Sequence, residues 1–275
     1  MVCSKNKIKV GIIGCGAIGS GIAKSVVQDL RHLCEISGLY DLDQQKVDTL
    51  EQSLNQTDLK RSSLEEILKD CDLMVEAVNA TNTQDLIRTA LTAKKDILVM
   101  SVGKLLNADD LFSLAAENHV TLLIPTGAIA GIDAIKAASL AGITKITLTT
   151  RKPPAGLSGI PYIESQGIDL DKITGETVIF DGDVTAAVKH FPQNINVAAT
   201  LALACNAKDK LTIRIISSPT YTKNSHEIEA EGDFGRIVTL TENIACPDNP
   251  KTSYLAVLSG IQALKDFCQN IRIGT

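Results

Sequence analysis

Residues 8–19 read IKVGIIGCGAIG. The stretch opens on a largely apolar, β-branched run, Ile8 to Ile13, and passes at once into Gly14-Cys15-Gly16-Ala17-Ile18-Gly19. Beyond the glycines, Ile18, Ile22, Val26 and Leu30 recur every four residues, the spacing of one buried helix face, so the segment reads as strand, turn, helix. GxGxxG is a weak signal by itself in a chain with 19 glycines. Its position after a strand and at the start of a helix gives it meaning. There the helix N-terminus and bare backbone amides hold a pyrophosphate, and the last glycine permits close helix-sheet packing. The competing reading is a tight turn with no cofactor. Asp41 ends the second strand, Cys34 to Tyr40, and a carboxylate there accepts hydrogen bonds from ribose hydroxyls. The run Tyr40-Asp41-Leu42-Asp43 has a second acid and no Arg, which repels a 2′-phosphate and favours NAD over NADP; Lys46 is the neighbouring cation that leaves NADP open.

Outward from this stretch the alternation continues. A polar helix spans about 43–54, and a helix over 64–69 starts at Ser62 and Ser63 with Glu65 and Glu66 as capping-box partners. Strands are expected at 71–78, 96–102 and 120–125, and helices at 83–95 and at 108–119, the latter capped by Asn107. Short connections between alternating elements predict a doubly wound parallel sheet covered on both faces. After Pro125 the rhythm changes to a Gly/Ala-rich helix, a strand at 144–150 and a Pro/Gly-dense loop, RKPPAGLSGIP. Further on lie a strand near 177–180, a helix from about Val184, an apolar helix from Asn194 to Cys205, and strands at 211–217, 224–231 and 235–244. Gly232 and Asp233 mark a hairpin between the last two. Strand following strand predicts a second, α+β domain with a mostly antiparallel sheet. A final amphipathic helix covers 252–269.

Composition narrows the class of partner. The 275 residues carry 27 basic and 32 acidic side chains, a net charge of -5, with no Trp, four Tyr and five Phe. That balance argues against nucleic acid and membrane surfaces, which need clustered cations, and against stacking on bases. A small polar ligand is expected. The apolar stretch 120–143 is broken by Pro125, Asp133 and Lys136, so no membrane span is expected. Seven cysteines, at 3, 15, 34, 71, 205, 246 and 268, include no CxxC pair. They are expected to be reduced, mostly buried and cytoplasmic.

Four histidines are candidate acid/base groups. His32, His119 and His190 lie at helix ends, where a cation suits the dipole. His226 lies in the alternating run NSHEIEAEG, where flanking Glu227 and Glu229 are expected to tune it; a core or surface histidine is the alternative. The run is not HExxH, so no metal is implied. Arg151 and Lys152, at the mouth of the Pro/Gly loop, suit the carboxylates of an acidic substrate, with a solvated strand end as the plain alternative. Asn194 and Asn196 flank a helix start, where Asn is commonly a cap.

GCGAIG at 14–19, SVG at 101–103, PTGAIAG at 125–131, TTRKPP at 149–154, FPQNINVAATLALA at 191–204 and SHEIEAEGDFG at 225–235 together resemble the L-aspartate dehydrogenase family over nearly the whole chain. Members oxidise L-aspartate to iminoaspartate with NAD or NADP. The imine hydrolyses to oxaloacetate and ammonia or feeds quinolinate and NAD biosynthesis. The resemblance implies His226 as the catalytic residue. It implies cofactor contacts from Gly14, Gly16, Ala17, Ile18, Gly19, Asp41, Ser101, Gly103, Ala130 and Asn196, and leaves Arg151, Lys152 or Lys136 to hold the carboxylates. It further implies a Rossmann domain over 1–125, a substrate and oligomerisation domain over 126–247, and a last helix, 248–275, that returns to the first domain. A homodimer or homotetramer is expected, as is hand-off of the imine to a quinolinate synthase. Two departures stand out: Leu42 replaces the Arg that often follows the ribose-binding Asp, and Lys104 stands where many members have Ala. The competing enzyme class is another two-domain Rossmann oxidoreductase acting on a small amino or hydroxy acid. The Glu-Lys-Pro of Gfo/Idh/MocA oxidoreductases and the paired histidines of dihydrodipicolinate reductases are both missing from the sequence. A non-catalytic NAD-responsive sensor is the non-enzyme alternative.

Overall fold

A computed structural model describes residues 7–78, 80–191, 195–247 and 249–274. Cys3 and Asn194, together with positions 192 and 193 of the FPQNIN run, lie outside them. The chain divides into two units. The first comprises Met1–Pro125, Cys246–Thr252 and Ala256–Arg272; the second comprises Thr126–Ala245, Ser253–Leu255 and Ile273–Thr275.

In the first unit the elements run β1 (Ile8–Ile13), α1 (Ala17–Gln28), β2 (Cys34–Tyr40), α2 (Gln44–Ser53), α3 (Leu64–Asp70), β3 (Leu73–Glu76), α4 (Thr83–Thr92), β4 (Asp96–Val99), α5 (Asp109–Glu117) and β5 (Leu122–Leu123). The five strands form one parallel sheet in the order β2-β1-β3-β4-β5. Each helix between successive strands carries the chain back to start the next parallel strand. The sequence shows no strand between the helices at 43–54 and 64–69, yet the backbone there touches the sheet. Leu39 N–H donates to Leu59 O at 2.7 Å and Arg61 N–H to Leu39 O at 2.9 Å, closing a parallel bridge between Leu39 and Lys60. The third strand of a Rossmann sheet, order 3-2-1-4-5-6, is thereby reduced to a single bridge. Arg61 also donates from Nη2 to Ser37 O at 2.6 Å.

The capping box of α3 forms as expected: Ser63 Oγ accepts from Glu66 N–H and Glu66 Oε2 accepts from Ser62 N–H. The cap position expected at Asn107 falls on Ala108 instead. Helix α5 starts one residue later than expected, on Asp109, with no side-chain hydrogen bond from its cap residue and with Asp109 and Asp110 facing the helix dipole.

The second unit holds α6 (Ile132–Ser139), β6 (Ile143–Lys152), α7 (Pro161–Ser165), β7 (Thr177–Asp183), α8 (Val184–His190), α9 (Asn196–Cys205), β8 (Leu211–Ser217), β9 (Asn224–Gly232) and β10 (Gly235–Asn243). Its sheet has the order β10-β9-β6-β8-β7; the β6–β8 pair is parallel and the other three are antiparallel. The hairpin turns on Asp233 and Phe234, because Gly232 pairs with Gly235, which has φ +103°. The Pro/Gly loop begins later than its composition suggests. Thr150 pairs with His226 and Lys152 with Ser217, so Arg151 and Lys152 are strand residues and the loop starts at Pro153. Two short strands, β11 (Ala245–Cys246) and β12 (Asn249–Ser253), then lead into α10 (Tyr254–Cys268). Leu264 of α10 belongs to the first unit's core. Gly21 and Gly260 admit this helix: side chains there would meet Val257 Cγ1 at 2.6 Å and Met100 Sδ at 2.8 Å.

The turn between β1 and α1 is the tightest approach. Gly14 has φ +94°, and a Cβ on Gly19 would stand 1.8 Å from Gly14 O. A backbone atom cannot give way as a flexible side chain does, so Gly19→Ala is expected to lower unfolding free energy by at least about 3 kcal/mol, read from urea denaturation. A loss under about 1 kcal/mol would show that the turn can open.

Candidate active site

In the first unit the glycine turn stands at the carboxyl end of β1, where strand order reverses between β2 and β3 and where open α/β sheets bind their ligands. Helix α1 begins on Gly16 with no side-chain cap and no acid in its first turn, so no residue of the helix itself compensates the positive end of its dipole. Gly16 differs from its two partners: a Cβ built there meets nothing within 4 Å. Gly14 and Gly19 are therefore demanded by packing, whereas Gly16 keeps clear the space over the helix start. That is the cradle a pyrophosphate needs, and the residues fit a dinucleotide.

Asp41 is fixed to this turn. Its Oδ2 accepts the Cys15 N–H at 2.8 Å and its Oδ1 the Asp43 N–H at 2.9 Å, leaving a further lone pair on each oxygen for hydroxyl donors. Leu42 is 85% exposed. Lys46, the cation that left NADP open, lies 3.8 Å from Asp43 in a solvent-exposed pair. Cys15 itself is inert, because burial and then the Asp41 charge push its thiol up to about 12. The Ser101 hydroxyl lies 2.8 Å from Glu76 Oε1 and also bonds Val78 O, so its one proton is engaged within the protein. Gly103 sits in a 3-10 turn, Val102–Leu105, that follows β4.

In the second unit, alternation along the strands sorts the candidates. Ile146, Leu148, Thr150 and Lys152 share one face of β6, and register places Ile213, Ile215 and Ser217 of β8 and His226 and Ile228 of β9 on that same face. The face is apolar and buried along most of its length and turns polar at one end, where Thr150, Lys152, Ser217 and His226 gather. His226 is 7% exposed, and its Nδ1 lies 3.0 Å from Thr150 Oγ1. Burial first, and the Lys152 charge second, push the imidazole down to about 4. Burial alone pushes the Lys152 ammonium down to about 8. Thr241 faces His226 from β10 and buries a hydroxyl with no partner among the described residues.

These placements correct one expectation and sort the candidate cations. Glu227 and Glu229 do not tune His226, because neighbours along a strand point to the opposite face. Arg151 also points to that other face, where it pairs with Glu227 at 3.3 Å. Lys136 is exposed on α6, apart from the buried positions Ile132 and Ile135. Of the three candidate cations, Lys152 is the one that bears on His226.

Ala130 is exposed in the loop before α6. Thr239 Oγ1 donates to Ala130 O at 3.1 Å and Asn243 Nδ2 to Ala128 O at 3.0 Å, pinning that loop to β10. Asn196 is exposed and is the first helical residue of α9, where Ile195 holds the cap position, so it is not the cap its type suggests. Sequence reasoning missed Thr150 and Glu76. Alternation across a paired strand was the available signal for Thr150. A lone acid within the apolar run of residues 73–78 was the signal for Glu76.

Residues 133–267 match the sequence family described as aspartate dehydrogenase, C-terminal, and residues 14–125 match the homoserine dehydrogenase NAD binding domain. An L-aspartate dehydrogenase of Methanosarcina barkeri is 42% identical, with 98% of this chain and all of that protein covered. One of Methanococcoides burtonii is 43% identical at the same coverage. Among solved structures, an aspartate dehydrogenase from Thermotoga maritima shares the fold with a TM-score of 0.71, at 23% identity over 98% of this chain and all of that one. Among the described residues no helix is long and apolar enough to cross a membrane.

The buried imidazole links stability to pH. Its folded pKa of about 4 lies below the ordinary 6.5, so between these values the unfolded chain binds the extra proton. Stability is expected to be at its full value above about pH 6.5 and to fall by about 3 kcal/mol as pH drops to about 4. Urea denaturation across that window should show the acid slope in the wild type and a shallower one in His226→Gln. Equal slopes would remove His226 as its source.

Proposed function

The chain belongs to the L-aspartate dehydrogenase family, and from that premise we propose that it oxidises the C2 amine of L-aspartate to iminoaspartate with NAD. The observation that carries this reading is a neutral imidazole, His226, with one nitrogen committed to Thr150 and a cation, Lys152, beside it. Thr150 occupies Nδ1, so Nε2 is the nitrogen left for substrate. When Nδ1–H donates to Thr150 Oγ1, Nε2 presents a lone pair. His226 then takes a proton from the substrate amine, directly or through a water, and later returns it as the imine is hydrolysed. Lys152 holds a substrate carboxylate by charge, which favours the short dianion over neutral amino acids.

Gly14, Gly16, Ala17, Ile18 and Gly19 would hold the pyrophosphate and Asp41 the ribose of NAD, which when bound supplies the acceptor for the hydride leaving C2. The Asp41 carboxylate and the Lys46–Asp43 pair support NAD over NADP. Ala130 and Asn196 remain cofactor contacts in this proposal, supported by their exposure and by the motifs that carry them. Exposed Val178, Val238 and Leu240 on the outer face of the second sheet support a homodimer or homotetramer. The free thiols of the described cysteines support a cytoplasmic location. Iminoaspartate hydrolyses in water, and that lability supports direct hand-off to a quinolinate synthase.

Reduced-nicotinamide absorbance should rise when the protein is mixed with NAD and L-aspartate, and stay flat with homoserine, malate or alanine. His226→Ala should keep NAD affinity and lose at least about a hundredfold in kcat; near-normal turnover would sink the assignment. Gly16→Ala separates the cradle from the fold. Gly16 has φ -76°, which alanine adopts freely, so thermal stability should be unchanged while NAD affinity drops about tenfold or more. Unchanged affinity would place the pyrophosphate elsewhere.

A further inference from the structure

Glu76 ends β3 with no exposed surface, inside the carboxyl end of the parallel sheet. A carboxyl so placed needs every one of its bonds. Its Oε1 accepts the Val78 N–H at 2.8 Å and its Oε2 accepts the Ser101 N–H at 3.1 Å. The Ser101 hydroxyl lies 2.8 Å from Oε1 and is also bonded to the Val78 carbonyl. Ser101 has one hydroxyl proton to share between these two oxygens, and a backbone carbonyl can only accept. With that proton on the Val78 side, the contact with Oε1 needs a second proton, and the carboxyl is the group that can carry it. Burial raises the pKa of Glu76, against the lowering effect of the N–H donors and of the Ser101 hydroxyl around it, and so acts in the same direction.

The two residues thus take both polar groups of Val78, its N–H through Glu76 and its C=O through Ser101. Val78 and Ala77 in turn form the wall against which the dinucleotide turn rests: a Cβ on Gly14 would meet Ala77 O at 2.4 Å and Val78 Cγ1 at 2.9 Å. We propose that Glu76, carrying a proton, is a positioning residue that with Ser101 clasps Val78 and thereby fixes the glycine turn that receives the cofactor. The proposal rests on the reading that the first unit holds NAD. It also gives Ser101 a different role from the direct cofactor contact implied by the SVG run. A carboxamide cannot replace the acid, because two backbone N–H groups need acceptors on two different atoms and Gln offers one oxygen.

The test uses the full-length protein and two variants, Ser101→Ala and Glu76→Gln. Ser101→Ala leaves the carboxyl in place and removes only the hydroxyl, so it keeps the question open to measurement if Glu76→Gln folds poorly. Calorimetric titration with NAD should show about a tenfold rise in Kd for Ser101→Ala, with KM for NAD rising in parallel and kcat largely retained. A residue that only supports the fold would lower the melting temperature without changing the Kd of the folded fraction. Isotope-edited infrared spectra of glutamate-labelled protein near neutral pH should show a neutral-carboxyl stretch in the wild type that Glu76→Gln abolishes. Wild-type Kd in Ser101→Ala, or no such band, overturns the proposal. If the wild type itself fails to bind NAD, the family-based reading falls, while the infrared band still decides the protonation of the clasp.

Discussion

A Cβ on Gly19 would begin 1.8 Å from the Gly14 carbonyl oxygen, and the rest of the first unit is arranged around that approach. Strand β1 can enter α1 through so short a turn only because both positions lack side chains. The short turn aims the amino end of α1 at the carboxyl edge of the sheet, where the aligned peptide dipoles present positive charge. Asp41 is held to the same turn through the Cys15 amide, and Ala77 and Val78 close it from β3. Groups from three neighbouring strands therefore share one small region of backbone, and movement of any one would be felt by the others.

The second unit meets a different constraint, the two-residue alternation of strands. It gives one sheet face over to aliphatic packing, and at the end of that face a few polar side chains are enclosed by the same packing. Enclosure is what makes His226 a neutral base instead of a surface cation, and what makes Lys152 easier to deprotonate than an ordinary lysine. Glu76 obeys the same physics in the first unit with the opposite outcome for charge: burial favours the protonated acid just as it favours the unprotonated imidazole. In both units the chemistry of a titratable group is set by how it is packed more than by charged neighbours in sequence.

Periodicity and glycine placement were enough to read the parallel sheet, the turn, Asp41 and the mostly antiparallel second sheet, because those features are written locally. Pairing partners were not readable in the same way. Lys60 pairs as a single residue, too short to leave a pattern, so the remnant of a third strand was invisible. Arg151 and Lys152 looked alike beside two prolines, and only the register of β6 against β8 and β9 shows that they face opposite ways. His226 was singled out from its run, but its surroundings were misjudged: its glutamate neighbours lie across the sheet plane, and the residues beside it come from another strand. Asn107 and Asn196 show the same limit at helix ends, where a one-residue shift in the start of the helix decides what a cap is.

The reduced third strand has a consequence for how the chain behaves in a crowded solution. A parallel sheet whose last strand is open offers unpaired amides and carbonyls to any other chain with a free strand, a common route to aggregation. On β2 three of those groups are already taken, all toward its carboxyl end. Leu39 is bonded on both its amide and its carbonyl by the backbone of Leu59 and Arg61, and the Arg61 guanidinium covers the carbonyl of Ser37. One bridge and one arginine thus occupy part of the edge a foreign strand would need, and they leave a charged side chain standing at the border.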